Sequence, residues 1–170
     1  SNKEVKKSLL NELKFWQEKH KIKTPDVLIA TPPCQGMSVA NHKKNDEIVR
    51  NSLVVESIKL TNKILPKYFV YENVRAFLKT KCTDIDGIVK PIKEAIKYNL
   101  GGNYNILHKI VNFKEYGSNS SRTRTLVIGV RKDIPNITPY EIFPKKEKPK
   151  TLRKLIGDLP SLKEMGEISN

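Results

Sequence analysis

Short apolar runs alternate with longer segments of helical spacing along this chain. Residues 26–30 and 68–71 are short and mainly apolar, which is typical of strands buried on both faces of a sheet. Two further candidate strands lie at residues 104–111 and 125–130. The segments with helical spacing are residues 3–20, 47–65 and 84–99. This alternation predicts an open α/β sheet with both faces covered.

The composition narrows the class of protein. The 170 residues fit one domain, and 32 Lys and Arg against 18 Asp and Glu give a net charge of +14. This charge indicates a polyanionic partner, and charge that serves only solubility is the alternative. Two cysteines exclude a disulfide scaffold and a four-cysteine zinc site, and we expect no bound metal. A mean hydropathy of −0.50 argues against a membrane protein, and the lack of a signal-peptide pattern predicts a cytoplasmic one.

Two strand ends carry residues that can do chemistry, and ligands of open α/β sheets gather beyond such ends. Cys34 follows two prolines, whose restricted backbone can aim a thiol at a ligand. A small cysteine that only packs is the alternative. Glu72 follows residues 68–71, so its carboxylate must be paired, solvated in a cleft, or have a pKa raised by desolvation. A surface glutamate just beyond the strand is the alternative.

Two arginines precede the last candidate strand. Arg122 and Arg124 are two positions apart, so their side chains share a face if the backbone is extended. Two planar guanidinium groups on one face suit a phosphate or a carbonyl oxygen. The alternative is a charged strand end that is simply solvated.

Five short motifs follow one another along the chain. Residues 31–38 contain Pro-Cys-Gln, residues 67–74 contain Glu-Asn-Val, and residues 121–124 are Ser-Arg-Thr-Arg. The other two are Arg-Asn-Ser-Leu at residues 50–53 and the segment at residues 152–160. In this order and spacing the motifs resemble those of the DNA (cytosine-5) methyltransferases. The resemblance implies a partial Rossmann-like methyltransferase sheet, the C-terminal half of the catalytic domain, with flanking helices.

The resemblance also implies a mechanism. Carbon 5 of cytosine is a poor nucleophile, and addition of the Cys34 thiolate to ring carbon 6 makes it enamine-like. Glu72 stabilises ring nitrogen 3, and Arg124 and Arg122 hold the base carbonyl oxygen or a phosphate. The methyl group comes from S-adenosyl-methionine, and the cytosine is flipped out of double-stranded DNA. By the same resemblance, Pro33 and Leu53 contact the cofactor, and the DNA-binding residues are Gln35, Ser38, Asn73 and Arg122.

Departures from the family pattern predict an incomplete unit. Asn119 and Ser120 stand where the family has Pro-Gln, and no Gly-rich cofactor turn precedes Asp26. We therefore expect a helix and linker at 1–25, a partial catalytic core at 26–135, and a basic linker with a short helix at 136–170. Such a chain is a fragment or one subunit, inactive alone, completed by missing segments or a second chain and prone to self-association. The predicted setting is a prokaryotic modification methylase near the nucleoid.

Three other functions fit part of the pattern. A methyltransferase acting on carbon 5 of cytosine in transfer RNA uses the same chemistry. An inactive nucleic-acid-binding scaffold explains the positive net charge but gives no role to Cys34 and Glu72 at the two strand ends. A thiol hydrolase would pair Cys34 with His42, which lies in a polar stretch.

Overall fold

The structure is a computed structural model that describes residues 2–33 and 52–159. Residues 34–51, and with them Cys34, Gln35, Ser38 and His42, lie outside the described residues. The helices are α1 (Asn2–His20), α2 (Ser52–Ile64), α3 (Ile92–Leu100) and α4 (Leu152–Ile156). The strands are β1 (Val27–Ala30), β2 (Tyr68–Asn73), β3 (Lys81–Thr83), β4 (Val89–Pro91), β5 (Tyr104–Asn112) and β6 (Thr123–Arg131). The described helices include none that is both long enough and apolar enough to cross a membrane.

Four strands form the main sheet in the order β1-β2-β6-β5. β1 and β2 are parallel, β6 is antiparallel to β2, and β5 is antiparallel to β6. The C-terminal ends of β1, β2 and β5 and the start of β6 therefore lie together, and we call this end of the sheet the site end. This mixed sheet with flanking helices confirms the predicted α/β class.

One face of the sheet packs against α2 and α3. Buried hydroxyls on this face are hydrogen-bonded: Tyr71 Oη and Thr61 Oγ1 lie 2.6 Å apart, and Tyr104 Oη donates to the Pro66 carbonyl at 2.8 Å. Burial raises the pKa of Tyr71. The core residues are Val54, Val55, Ile58, Phe69, Tyr71, Phe77, Cys82, Ile92, Ala95, Ile96, Leu100, Tyr104 and Val127.

Among the described residues, the opposite face of the sheet is covered only in part. Over β5 and β6, Phe143 packs with Val111 and Ile128 in a smaller apolar cluster. Over β1, Val27 and Ile29 are 50% and 69% exposed. The expectation that residues 26–30 are buried on both faces is therefore wrong, because β1 is an edge strand of the described sheet and the helical core lies on the other face.

A hairpin replaces the first half of the helix predicted over residues 84–99. β3 and β4 pair antiparallel, and only α3 is helical. Gly87 has φ +80°, which a turn accommodates and a helix does not. Pro91 lacks the N–H that a helix interior needs and stands at the N-cap of α3. The apolar residues of this segment do have helical spacing, but the backbone conformations that Gly87 and Pro91 require prevent a helix over its first half.

Candidate active site

Glu72 and Arg124 meet at the site end. β2 and β6 pair so that Glu72 lies opposite Leu126, which places Arg124 diagonally on the same face. Arg124 Nε is 2.9 Å from Glu72 Oε1, with the side chains 16% and 28% exposed respectively. Arg124 Nη1 also donates to the Thr123 carbonyl at 2.8 Å. Of the alternatives for Glu72, the structure shows the paired carboxylate.

Asn73 joins the ends of the two parallel strands. Its Nδ2 donates to the Pro32 carbonyl at 2.8 Å, and its Oδ1 accepts from the Val74 N–H at 2.8 Å. The residue is only 4% exposed. Both ends of the amide are therefore engaged inside the protein, and they fix the backbone that leads out of β1 relative to the backbone that leads out of β2.

Arg122 lies near the pair but outside the strand. β6 begins at Thr123, and Arg122 is exposed. Its carbonyl accepts from the Phe113 N–H at 3.0 Å, and its own N–H donates to Ser120 Oγ at 3.3 Å. These backbone contacts hold the turn into β6, and Arg122 as a whole remains exposed. The two arginines thus have different environments, one in an ion pair and the other exposed.

Pro33 and Leu53 line one cavity of about 340 Å³ between α1, α2 and the end of β1. The helix α1 contributes Val5 and Leu9 to its wall. At its edge, Glu56 of α2 forms an ion pair with Lys6 of α1. The structure thus brings together the two residues predicted to contact the cofactor.

No motif of the sequence indicates a role for α1 or for Glu56 at this cavity. The apolar residues of α1, which include Val5 and Leu9, recur at helical spacing and so indicate that one face of the helix packs. Their spacing does not indicate what that face packs against. Its nearness to Leu53 is a tertiary relation that only the structure shows.

The residues predicted for the nucleophile and two DNA contacts, Cys34, Gln35 and Ser38, are outside the described residues. The described chain leads to them as far as Pro33, which is exposed and follows the anchored Pro32. The other cysteine, Cys82, is buried in the core, and burial raises its pKa to about 11. A thiol held in its neutral form by burial is a poor nucleophile, so Cys82 does not suit a nucleophilic role.

Comparisons with known proteins agree on one family. The sequence profile of the C-5 cytosine-specific DNA methylases matches residues 2–169. The type II methyltransferase M1.HgaI of Avibacterium volantium is 34% identical over 144 residues, 81% of this chain and 38% of that protein. M.FnuDI, a type II methyltransferase of Fusobacterium nucleatum, is 35% identical over 137 residues, covering 79% of this chain and 38% of its own length.

A solved structure agrees with the sequence relatives. The crystal structure of a protein described as a DNA modification methyltransferase encoded within an E. coli prophage superposes with a TM-score of 0.60 at 27% identity. The match covers 88% of this chain and 39% of that one. The chain spans about two-fifths of the length of M1.HgaI and M.FnuDI, at 38% of each. On the profile match and these relatives, the chain belongs to the C-5 cytosine-specific DNA methylase family.

Proposed function

We propose that this chain takes part in methylating carbon 5 of cytosine in DNA as a component of a modification methylase. One observation supports this most: Glu72 and Arg124 form a pair at the site end, and Asn73 ties the same strand end to Pro32, two residues before Cys34. The type II methyltransferases among the relatives support a role in DNA modification. These bacterial relatives also support a cytoplasmic, prokaryotic setting.

The proposed nucleophile is Cys34. Its sulfur forms a bond to ring carbon 6 of a flipped cytosine, and the displaced electron pair reaches carbon 5 and ring nitrogen 3. S-adenosyl-methionine, the methyl donor of the family, would supply the methyl group that carbon 5 receives, and its methyl–sulfur bond would break to leave a neutral thioether. Loss of the carbon 5 proton to a base then returns an electron pair to the ring, and the sulfur–carbon bond breaks to release Cys34.

Glu72 and Arg124 are proposed to hold the base. Glu72, carrying a proton, donates a hydrogen bond to the ring nitrogen that gains electron density, and Arg124 donates to the neighbouring carbonyl oxygen. Because Arg124 Nε lies 2.9 Å from Glu72, the pair already fixes the carboxylate relative to the strand end. Such preorganisation lowers the cost of orienting catalytic groups when the base arrives. The exposed Arg122 is free of the pair and suits a phosphate.

The cavity between α1 and α2 fits part of the methyl donor. Its walls at Val5, Leu9 and Leu53 are apolar and suit a flat ring, while Glu56 and Ser57 offer oxygens at the edge. We propose that Pro33 and Leu53 contact the donor there. We also propose Gln35, Ser38 and Arg122 as DNA contacts, with Asn73 acting through the backbone that it fixes.

Transfer of labelled methyl groups tests this function. Because the chain spans 38% of its relatives' length, we expect no transfer to duplex DNA by the purified chain alone. Expression with its flanking coding sequence should restore transfer, and Cys34→Ser should abolish it. Cys82→Ser is the matched control, and the folded variant should retain methyl transfer.

Each outcome is decisive. Transfer by the purified chain alone would overturn the proposal that it needs a partner or further segments. Full activity in Cys34→Ser would remove the nucleophile. Transfer to transfer RNA in place of DNA would establish the RNA alternative. If the protein expressed with its flanking sequence traps no 5-fluorocytosine DNA, the chain is part of an inactive scaffold.

A further inference from the structure

A lysine-rich segment is anchored beside the Glu72–Arg124 pair. The segment is residues 143–150, which we call the strap. Its sequence, with prolines at both ends of the lysine run, is typical of an exposed linker. In the structure its first residue, Phe143, packs with Val111 and Ile128 on the face of the sheet that carries Glu72 and Arg124. The strap is therefore docked at its beginning.

The strap is also fixed along its length by the loop between β5 and β6. Glu147 forms two backbone hydrogen bonds with this loop, donating to the Glu115 carbonyl at 2.9 Å and accepting from the Gly117 N–H at 3.1 Å. Gly117 has φ +84°, and a side chain there would crowd the Glu147 carboxylate at 3.2 Å. Further along, Asn119 Nδ2 donates to the Lys150 carbonyl at 2.8 Å. Glycine thus permits a close approach that the hydrogen bonds maintain.

This loop lies at the site end. Val111 pairs with Arg124 and Asn112 pairs with Thr123, so the loop starts one residue pair beyond the pair that contains Arg124. Strand residues advance roughly 3.3 Å each, which puts the start of the loop within a few residues' length of Arg124. The anchored strap and the candidate active site therefore share one edge of the molecule.

The strap and loop carry an excess of positive charge. Lys146 Nζ lies 2.5 Å from Glu115 Oε2, so that pair is neutral overall. The carboxylate of Glu147 lies against Gly117. Within the described ranges 2–33 and 52–159, no carboxylate pairs with the other lysines, all of which are exposed: Lys114, Lys145, Lys148 and Lys150.

We propose that the strap, together with Lys114, is a phosphate-binding surface for the DNA backbone next to the flipped cytosine. The proposal rests on the proposed function, because the position of the strap matters only if a base enters at the site end. Lysine ammonium groups on an anchored backbone neutralise phosphates and release counterions. Phosphate contacts of this kind fix the register of the duplex without reading its sequence. The strap thus holds the strand while Glu72 and Arg124 hold the base.

Salt-dependent DNA binding by the purified 170-residue chain tests the surface. The probe is a fluorescein-labelled DNA duplex, titrated between about 50 and 200 mM salt. The test variant is Lys148→Ala/Lys150→Ala. The matched control is Lys63→Ala/Lys97→Ala, which removes the same charge from exposed positions on the helices that pack on the opposite face.

We expect the strap variant to bind at least about 10-fold more weakly at the lower salt and to reduce the salt slope by about 2, one unit for each lost phosphate contact. The control should keep the slope and change Kd less than about twofold. Replacement by arginine at both strap positions should preserve binding. Equal weakening by both double variants would overturn the proposal, because it would mean that only net charge matters.

Failure of the surface and failure of the proposed function can be distinguished. A wild-type chain that does not bind DNA even at low salt overturns the surface directly. Marked preference for a duplex RNA of the same length overturns its assignment to DNA. The strap can pass these tests although the protein, expressed with its flanking sequence, transfers no methyl group. In that case the phosphate-binding surface is supported and the proposed function is overturned.

Discussion

At the scale of single residues, the ion pair and the buried amide at the site end have different roles. The Glu72–Arg124 pair remains partly exposed, so water screens part of its contribution to folding stability. The role proposed for it is to orient the groups that hold the base. Asn73 is buried, and its amide donates to the Pro32 carbonyl at 2.8 Å. Removing that donor leaves a carbonyl without its partner at the exit of β1. Substitution of Asn73 should therefore lower the free energy of unfolding.

We expect Asn73→Asp to lower the free energy of unfolding by at least about 2 kcal/mol, because a carboxylate of the same shape cannot donate and is buried against an acceptor. Urea denaturation of the purified chain measures the effect. Asn105→Asp makes the same chemical change at an exposed position of β5 and should shift the unfolding free energy by less than about 0.5 kcal/mol. Equal stability of Asn73→Asp and wild type would show that the hydrogen bond to Pro32 does not hold the strand ends.

At the scale of elements, the four strands of the main sheet could be located from the sequence. Residues 26–30 and 68–71 were predicted as strands, and β1 and β2 span Val27–Ala30 and Tyr68–Asn73. β-Branched and aromatic runs bounded by Pro and Gly indicate strands because local packing favours them. Their order and direction depend on contacts between distant parts of the chain. The antiparallel placement of β6 beside β2, which brings Arg124 to Glu72, therefore needed the structure.

The hairpin of β3 and β4 shows why one element was mistaken. Its turn contains Asp84, whose buried carboxylate accepts from Asn99 Nδ2 at 2.8 Å and lies 3.0 Å from Lys90 Nζ. The contact with Asn99 joins the hairpin to α3, and the contact with Lys90 ties the turn to β4. No local spacing of apolar residues encodes either contact. Beside them, Cys82 is fully buried. Its pKa is raised to about 11, first by burial and then by the negative charge of Asp84.

The raised pKa of Cys82 predicts how stability depends on pH. The thiol is neutral in both states below its unfolded pKa of about 9, so its full contribution is present there. As the pH rises from 9 to 11 the unfolded chain loses this proton first, and the contribution is lost through the folded pKa. We expect a fall of roughly 1 to 3 kcal/mol across this interval.

Urea denaturation at several pH values checks the prediction by comparison with Cys82→Ala. That variant starts from a lower stability because it leaves a small cavity, but its slope between pH 9 and 11 should be shallower than that of wild type. The ionisations of Lys90 and the tyrosines remain in both proteins and cancel in the difference. Parallel slopes of stability against pH would mean that folding does not raise the pKa of the Cys82 thiol.

At the scale of the whole molecule, the exposed apolar residues at one edge of the described sheet favour association, and the large net charge opposes it. Val27 and Ile29 are 50% and 69% exposed on β1, at the edge of the described sheet. Apolar side chains next to an open strand edge favour association between copies. The net charge of +14 opposes it by mutual repulsion. The balance between the two should therefore depend on ionic strength.

We expect the purified chain to self-associate with rising concentration, and more strongly as salt is added, because salt screens repulsion without weakening apolar contact. Val27→Thr/Ile29→Thr keeps β-branched residues in the strand while making the surface polar, so it should shift sedimentation toward the monomer. Ile88→Thr/Val89→Thr changes two exposed apolar residues of the separate hairpin and should leave association as in wild type. If salt dissolves the assemblies, the association is electrostatic and β1 is not its cause. If the hairpin variant dissociates them as well as the β1 variant does, the contact is a general property of exposed apolar residues, and the open edge of β1 has no special part in it.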